Sequence, residues 1–219
     1  MFKDEEDERV FNDKFDLLRV LSAGEKRALY ILNIIFEVEA RRQRGVETLL
    51  IIDDIADSFD YKNSHFICLY TDEALQSKVY FSERQIDWLK EDLENTDKTN
   101  IFVYMHKPVW NEYYRESGWE DIHEILKEYP VRAVIAGHFH SYRKCPTKDE
   151  IQYYILGATG GNLYEKVELG GQFNHYNILR IKDDTFTMGV VKLGNVESDD
   201  YVAQEDADNI RRLVTQRYG

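Results

Sequence analysis

The chain has 219 residues, enough for one or two domains, and its 43% hydrophobic content is that of a globular protein able to bury a core. A formal net charge of −13 at pH 7 disfavours a broad nucleic-acid or anionic-membrane surface, because both need clustered Lys and Arg to neutralise phosphates. Two cysteines, Cys68 and Cys145, stand far apart and in no metal-like spacing, so no disulfide framework is expected and a reducing compartment is the default.

The chain opens acidic, from Asp4 to Glu8, without the basic and then apolar pattern of a signal peptide. No apolar run reaches membrane-spanning length, and a cytoplasmic location is expected. Phe15 to Val20 leads into Leu21-Ser-Ala-Gly-Glu25, and an apolar helix is predicted from about Lys26 to Arg44. Ser22 with Glu25 three residues on makes a capping box, which alone satisfies free amides at the helix start. Within this helix the stretch from Ala28 to Phe36 is apolar on most sides and needs cover. Thr48-Leu-Leu-Ile-Ile-Asp-Asp54 then reads as a buried strand ending in two carboxylates, with Asp57-Ser-Phe-Asp60 directly after it.

His65-Phe-Ile-Cys-Leu69 is a further strand preceded by a hairpin. Ser82 to Leu93 is an amphipathic helix capped by Ser82, with Ile86, Leu89 and Leu93 on one side and Trp88 beside them. Ile101-Phe-Val-Tyr-Met105 reads as a strand covered on both faces and is stopped by His106-Lys-Pro108. A helix from Trp119 to Tyr129 separates it from a second strand, Val131 to Ala136. Gly137 then opens a bend carrying His138 and His140.

A strand, helix, strand unit brings neighbouring strand ends together, so His106, His138 and His140 are expected to converge in the crevice where open α/β sheets bind ligands. A lone histidine in a loop is most often just hydrogen-bonded. Three that converge suit an ion such as Zn, Mn or Fe.

Further along, Trp110, Tyr113 and Tyr114 either line the mouth of that crevice or fold onto the neighbouring helix. Tyr142 and Arg143 are candidates to meet a phosphate, although an arginine in a turn is commonplace. Gln152 to Leu156 is a strand, and Gly157 to Gly161 a glycine-rich turn with no nucleotide-loop pattern. Tyr176 to Ile181 and Phe186 to Leu193 flank the hairpin turn Lys182-Asp-Asp-Thr185 and are expected to close the sheet. His65, His123 and His175 suggest no partner from the sequence. From Glu197 the chain is read as an acidic tail with a short helix around Ile210 to Val214, and no internal repeat is present.

Four stretches carry a family resemblance in their order and spacing. They are the His106-Lys-Pro108 after a buried strand, the Gly137-His-Phe-His140 turn, Ser82-Glu-Arg-Gln-Ile-Asp-Trp-Leu89 and Gly157-Ala-Thr-Gly-Gly161. Over about residues 57 to 196 they resemble the C-terminal half of the calcineurin-like metallophosphoesterases. That resemblance implies an α/β fold of mixed β-sheet layers with flanking helices, a partial αββα sandwich. It implies a phosphorylated substrate and His106 and His138 as ligands of one divalent metal, with His140 a ligand of a second.

A complete site of this kind holds two metals roughly 3.5 to 4 Å apart and clamps both oxygens of an in-line displacement at phosphorus. The family's Asp-x-His, Gly-Asp-x-x-Asp and Gly-Asn-His motifs do not occur here in their usual form. Metal affinity and activity are therefore expected to be reduced, with one weakly held ion rather than two. Asp53-Asp-Ile-Ala-Asp57 imitates Gly-Asp-x-x-Asp, which makes Asp54 the candidate replacement for the bridging carboxylate.

The earlier residues carry a second resemblance. Leu21-Ser-Ala-Gly-Glu25, a helix, and a strand ending in Asp53 and Asp54 are similar to the C-terminal half of ABC-type and SMC-like ATPases, over about residues 15 to 63. It implies that Ser22 and Gly24 contact the terminal phosphate of ATP held by an intact ABC-type partner. Asp53 would match the magnesium carboxylate, Asp54 the position of the catalytic glutamate and Asp60 the D-loop aspartate. No Gly-x-x-x-x-Gly-Lys-Ser/Thr loop exists in the chain, so autonomous ATP hydrolysis is not expected. The two resemblances meet near Ser58 to Asn63 and together imply a chimera. Its parts are 1–63, ATPase-like; 64–196, metallophosphoesterase-like; and 197–219, the tail.

Overall fold

The structure is a computed structural model that describes residues 36, 40–41, 43–44, 57–71, 81–114, 116–161, 163 and 168–203. The signature-like turn, the Asp53–Asp54 strand end and the helix expected near Ile210 lie outside the described residues. Of the helix expected from about Lys26 to Arg44, residues 36, 40, 41, 43 and 44 are described; Phe36, Ala40, Arg41 and Gln43 are helical and Arg44 is in a turn. Phe36 is 69% exposed.

The main sheet has six strands: β1 (Asp57–Tyr61), β2 (Ser64–Leu69), β3 (Asn100–Met105), β4 (Val131–Ala136), β5 (Arg143–Lys144) and β6 (Gln152–Ile155). Their spatial order is β1-β2-β3-β4-β6-β5, with β2, β3, β4 and β6 parallel and the two edge strands antiparallel. The parallel strands are the near-continuous apolar runs seen in the sequence, as expected of strands covered on both faces. Edge strand β1 carries exposed Asp57 and Asp60, which discourage further strand pairing.

One face is covered by α1 (Glu83–Asn95) and α2 (Trp119–Leu126). Ser82 caps α1, its side chain accepting from Gln85 N at 3.2 Å. Leu89 and Leu93 are buried, and Ile86 and Trp88 pack at the margin of the same cluster. Gln85 is buried too, for a reason its polarity does not suggest. Its Oε1 accepts from Tyr70 N at 2.7 Å and its Nε2 donates to Tyr70 O at 3.0 Å, which ties α1 to the end of β2. The second helix ends at Leu126, short of the expected Tyr129. Pro130 follows, and a residue before proline is pushed out of the helical region.

On the other face lies a separate antiparallel sheet of β7 (Tyr176–Lys182), β8 (Thr185–Lys192) and β9 (Asn195–Ser198). The β7–β8 hairpin is present as expected, with Asp183 at φ 53° in its turn. It does not close the main sheet but stacks on it. Leu179, Ile181, Phe186 and Met188 form an apolar face that meets Phe66, Phe102, Ile135 and Tyr154 of the main sheet. Phe102 and Phe186 meet edge to face with ring centroids 5.5 Å apart. A face-to-face packing buries far more apolar area than an edge pairing, so it wins. The described residues thus form a mixed α/β layering of helices, sheet and second sheet. On the outer face of that second sheet, helical Arg41 lines a cavity of about 290 Å³ with Tyr176, Ile178 and Val191.

Two features cross the segment boundaries read from the sequence. Strand β1 pairs with β2 along its whole length. The acidic stretch after Glu197 remains attached through Ala203: Tyr142 Oη donates to Asp199 O and Tyr154 Oη to Asp199 Oδ2, both at 2.6 Å. Lys144 Nζ lies 2.9 Å from the same carboxylate. No helix among the described residues is long and apolar enough to cross a membrane.

Candidate metal centre

The histidines sit where parallel strands β3 and β4 end. Their register pairs Met105 with Ala136, and the ladder continues one step further, with Gly137 N donating to His106 O at 3.0 Å. Lys107 N donates to Thr71 Oγ1 at 3.2 Å, so the end of β2 also holds the chain just after His106. The backbone around the first histidine is therefore fixed from both neighbouring strands.

Beyond Gly137 the chain turns sharply. Phe139 N donates to Gly137 O at 2.8 Å, and His138 and His140 both take left-handed backbone, at φ 68° and 51°. The strained residues are the histidines, not the glycine before them. Such conformations cost roughly 1 kcal/mol or more each in non-glycine residues and gather at functional sites.

The turn brings His138 Nδ1 to 3.1 Å from His106 Nε2, with ring centroids 5.0 Å apart. Two imidazole nitrogens at that separation share either a proton or a cation. At a nitrogen–metal bond of roughly 2.0 to 2.1 Å, two ligands at octahedral or tetrahedral angles lie roughly 2.8 to 3.4 Å apart. The pair therefore fits one divalent ion as two of its ligands. Among the described residues, no group of three His, Cys, Asp or Glu comes together to complete such a site. The ring of His140 faces the glycine-rich turn, where a Cβ on Gly161 would stand 3.4 Å from its Cε1.

Phe139 takes no part in ligation but shapes the turn. Its ring stacks on Tyr114, with centroids 6.1 Å apart and planes 5° from parallel. Of the loop aromatics, Trp110 packs against Trp119 and Tyr153, and Tyr114 is buried. Tyr113 is exposed.

The two residues considered for phosphate contact are elsewhere. Tyr142 is fully buried with its hydroxyl engaged by Asp199 O, and burial holds that hydroxyl well above the usual phenol range. Arg143 is also buried, its Nη2 donating to Ser141 Oγ at 3.3 Å. Neither presents itself to solvent.

The three histidines without evident partners in the sequence all have them in the fold. His65 lies between Asp60 and Asp92, each 2.7 Å from a ring nitrogen, and the His65 hydrogen bond draws the Asp60 carboxyl below its ordinary range. His123 Nε2 donates to Asp149 at 2.8 Å, and its Nδ1 meets Tyr153 Oη at 2.6 Å. His175 accepts from Gly157 N through Nε2 at 3.3 Å and donates through Nδ1 to Phe173 O at 3.2 Å. Burial lowers its pKa to about 4, against which the Phe173 contact acts only in part. Asp60 and Phe173 are near neighbours in the chain, but Asp92, Asp149, Tyr153 and Gly157 come from distant strands and loops, which is why spacing along the chain could not disclose them.

Known proteins give this arrangement a context. The chain is 28% identical over 159 residues to a probable cyclic nucleotide phosphodiesterase of Rhodococcus erythropolis, an overlap of 63% of this chain and 52% of that protein. It is 34% identical over 128 residues to purple acid phosphatase 23 of Arabidopsis thaliana, covering 51% of this chain and 26% of that protein. The chain thus spans about half the length of the first relative and about a quarter of the second. Among solved structures, a dimetal phosphatase from Danio rerio aligns with TM-score 0.42 and 20% identity, over 54% of this chain and 38% of that one. GAP50, the anchor in the inner membrane complex of Plasmodium, aligns with TM-score 0.48 and 15% identity, over 65% of this chain and 52% of that one.

The calcineurin-like phosphoesterase pattern matches residues 25–142, more than half of the chain. That match begins inside the stretch that resembles ABC-type ATPases and runs through the region where the two resemblances meet. It ends just past the His138–His140 turn. This chain belongs to the calcineurin-like phosphoesterase family.

Proposed function

We propose that the chain is a metal-dependent phosphoesterase domain acting on phosphomonoesters or phosphodiesters, with less activity than a complete two-metal centre. His106 Nε2 and His138 Nδ1 hold one divalent ion, Mn, Zn or Fe, and His140 serves a second position. The observation that carries this reading is the 3.1 Å approach of the two ring nitrogens at the C-terminal ends of adjacent parallel strands.

A divalent ion, when bound, supplies Lewis-acid stabilisation of the charge that develops on a phosphoryl group. The chain's contribution is positioning. The Gly137–His106 backbone bond, the Thr71 contact at Lys107 and the Phe139–Tyr114 stack hold the rings before any ligand arrives. Two neutral imidazoles leave the ion's charge uncompensated, so retention depends on a carboxylate.

Asp54 is our candidate for that carboxylate. Asp57 pairs with Cys68, so β1 enters the sheet at the same edge where the histidines stand. Asp54 itself lies outside the described residues, and its candidacy rests on the Asp53-Asp-Ile-Ala-Asp57 pattern three positions before Asp57.

The test is hydrolysis of p-nitrophenyl phosphate and bis(p-nitrophenyl) phosphate by Mn(II)-loaded protein. Turnover is expected to require the metal. His106→Ala or His138→Ala should reduce it by more than the roughly 10- to 100-fold typical of an outer-shell partner. Equal rates in wild type and both variants would overturn the proposal.

The sequence from Leu21 to Asp54 favours a second reading, an interaction module on a chimera whose join falls at β1. Ser22 and Gly24 then contact ATP held by an intact ABC-type partner, with Asp53 near its magnesium. Binding that depends on the partner's ATP and is lost in Ser22→Arg would support it; ATP-independent association would exclude it.

A further inference from the structure

The loop after His106 buries Tyr114, half-buries Trp110 and presents the third ring. Trp110 lies 5.0 Å from Tyr153 and 5.9 Å from Trp119, ring centroid to centroid, and Tyr114 is 8% exposed. Tyr113, between them, is 77% exposed. It is held all the same. Its backbone N donates to Asn111 Oδ1 at 3.1 Å. Its ring stands perpendicular to Tyr114 at 5.0 Å and nearly perpendicular to Phe139 at 6.3 Å.

Both supporting rings in turn touch the metal-centre histidine: Tyr114 lies 6.3 Å and Phe139 5.8 Å from His138, between centroids. A scattered surface tyrosine needs no explanation. A tyrosine fixed by two perpendicular ring contacts, each of whose partners abuts His138, is a surface prepared at the mouth of the centre. Perpendicular contacts fix the ring plane while leaving most of the ring in solvent, which is what stacking on an incoming aromatic plane requires.

We propose that Tyr113 is a specificity-determining residue that stacks on the organic part of the substrate, and that the preferred substrates are phosphoesters carrying a flat aromatic group. This rests on the reading that the histidine pair holds an ion that receives the phosphate end. A nucleobase and a simple aryl ring offer the same π-face, and only direct comparison separates them.

The experiment compares wild type, Tyr113→Ala and Tyr113→Phe, all Mn(II)-loaded, in their binding of adenosine 5′-phosphate, phenyl phosphate and glycerol 2-phosphate by calorimetry. Adenosine is titrated in parallel by chemical-shift change of the tyrosine rings. Tyr113→Ala is expected to weaken adenosine 5′-phosphate about tenfold, within the range that alanine substitution of stacking aromatics gives, with Tyr113→Phe near wild type and glycerol 2-phosphate unchanged throughout. A parallel loss for phenyl phosphate assigns any aromatic ring; a loss confined to the nucleotide assigns the nucleobase. Equal weakening of glycerol 2-phosphate, or no weakening of either aromatic ligand, overturns the proposal. If the phosphate esters fail to bind wild type while adenosine still shifts Tyr113, the metal-centre reading fails and the stacking surface stands. If adenosine and its phosphate both leave wild type unaffected, both fall.

Discussion

Phe139 lies almost parallel to Tyr114, 6.1 Å away between ring centroids, and this stack determines how the histidines on either side of it are presented. With positions 138 and 140 both in left-handed backbone, the central residue is the anchor that keeps the turn from relaxing. Phe139→Ala should therefore weaken Zn(II) or Mn(II) binding about tenfold although no ligand is removed. Stability should fall by about 2 kcal/mol, since the ring is only partly buried. Phe139→Leu, which keeps the apolar contact, should recover most of both in metal titration and urea unfolding.

His175 gives stability a pH dependence of definite sign. Its folded pKa is about 4, set mainly by burial, against 6.5 for an ordinary histidine. The fold therefore holds the neutral ring while the unfolded chain takes up a proton below pH 6.5. The stabilisation is complete above pH 6.5, declines by about 1.4 kcal/mol per unit as pH falls, and is lost once pH reaches about 4. Urea unfolding of wild type and His175→Gln at pH 7.5, 6 and 5 checks this; the difference between them should shrink steadily on acidification.

Gly157 is required beside that ring. A Cβ there would lie 2.6 Å from His175 Cε1 and 3.3 Å from Tyr142 N, a clash with a buried ring on one side and backbone on the other. Gly157→Ala should cost about 1 to 3 kcal/mol as an overpacking change. Thermal unfolding of the variant provides the measurement, and an unchanged midpoint would show that the glycine-rich turn yields freely.

The buried pair of His123 and Tyr153 makes a fourth case. The Tyr153 hydroxyl donates to His123 Nδ1 when Nε2–H is given to Asp149, and burial keeps that hydroxyl neutral, its pKa displaced upward. Tyr153→Phe preserves the ring packing against Trp110 and Trp119 but leaves Nδ1 of a fully buried histidine without its donor. A loss of about 1 to 3 kcal/mol is expected in denaturant unfolding. Phosphoester hydrolysis should be unaffected once the variant is folded.

Much of the main sheet was legible in the sequence because its central strands are buried on both faces and so read as continuous apolar runs. Ile101 to Met105 and Val131 to Ala136 match β3 and β4 residue for residue within one position. Helix α1 was equally plain from Ser82 and the Leu89–Leu93 spacing. The hairpin of β7 and β8 was visible as a hairpin, but not its destination. Which surface its apolar face meets is decided by Phe66, Phe102 and Ile135, more than 50 residues earlier in several cases, and local pattern carries no such information.

The site was legible in one respect, the proximity of His106 and His138, since parallel strands joined by a helix end side by side. The role of Phe139 was not legible, because its partner Tyr114 comes from a different loop and an apolar residue between two histidines looks interchangeable. Likewise Trp110, Tyr113 and Tyr114 are chemically alike in the sequence, and only packing divides them into one half-buried, one exposed and one buried ring.

The account turns on whether His106 and His138 share a cation rather than a proton. Calorimetric titration of wild type, His106→Ala and His138→Ala with Zn(II) at pH 7.5 decides it. We predict at least one ion bound by wild type, with that ion lost in either single variant while urea unfolding of the metal-free proteins remains comparable. Identical stoichiometry and affinity in all three proteins would contradict it, and would leave the 3.1 Å contact as a hydrogen bond between two imidazoles.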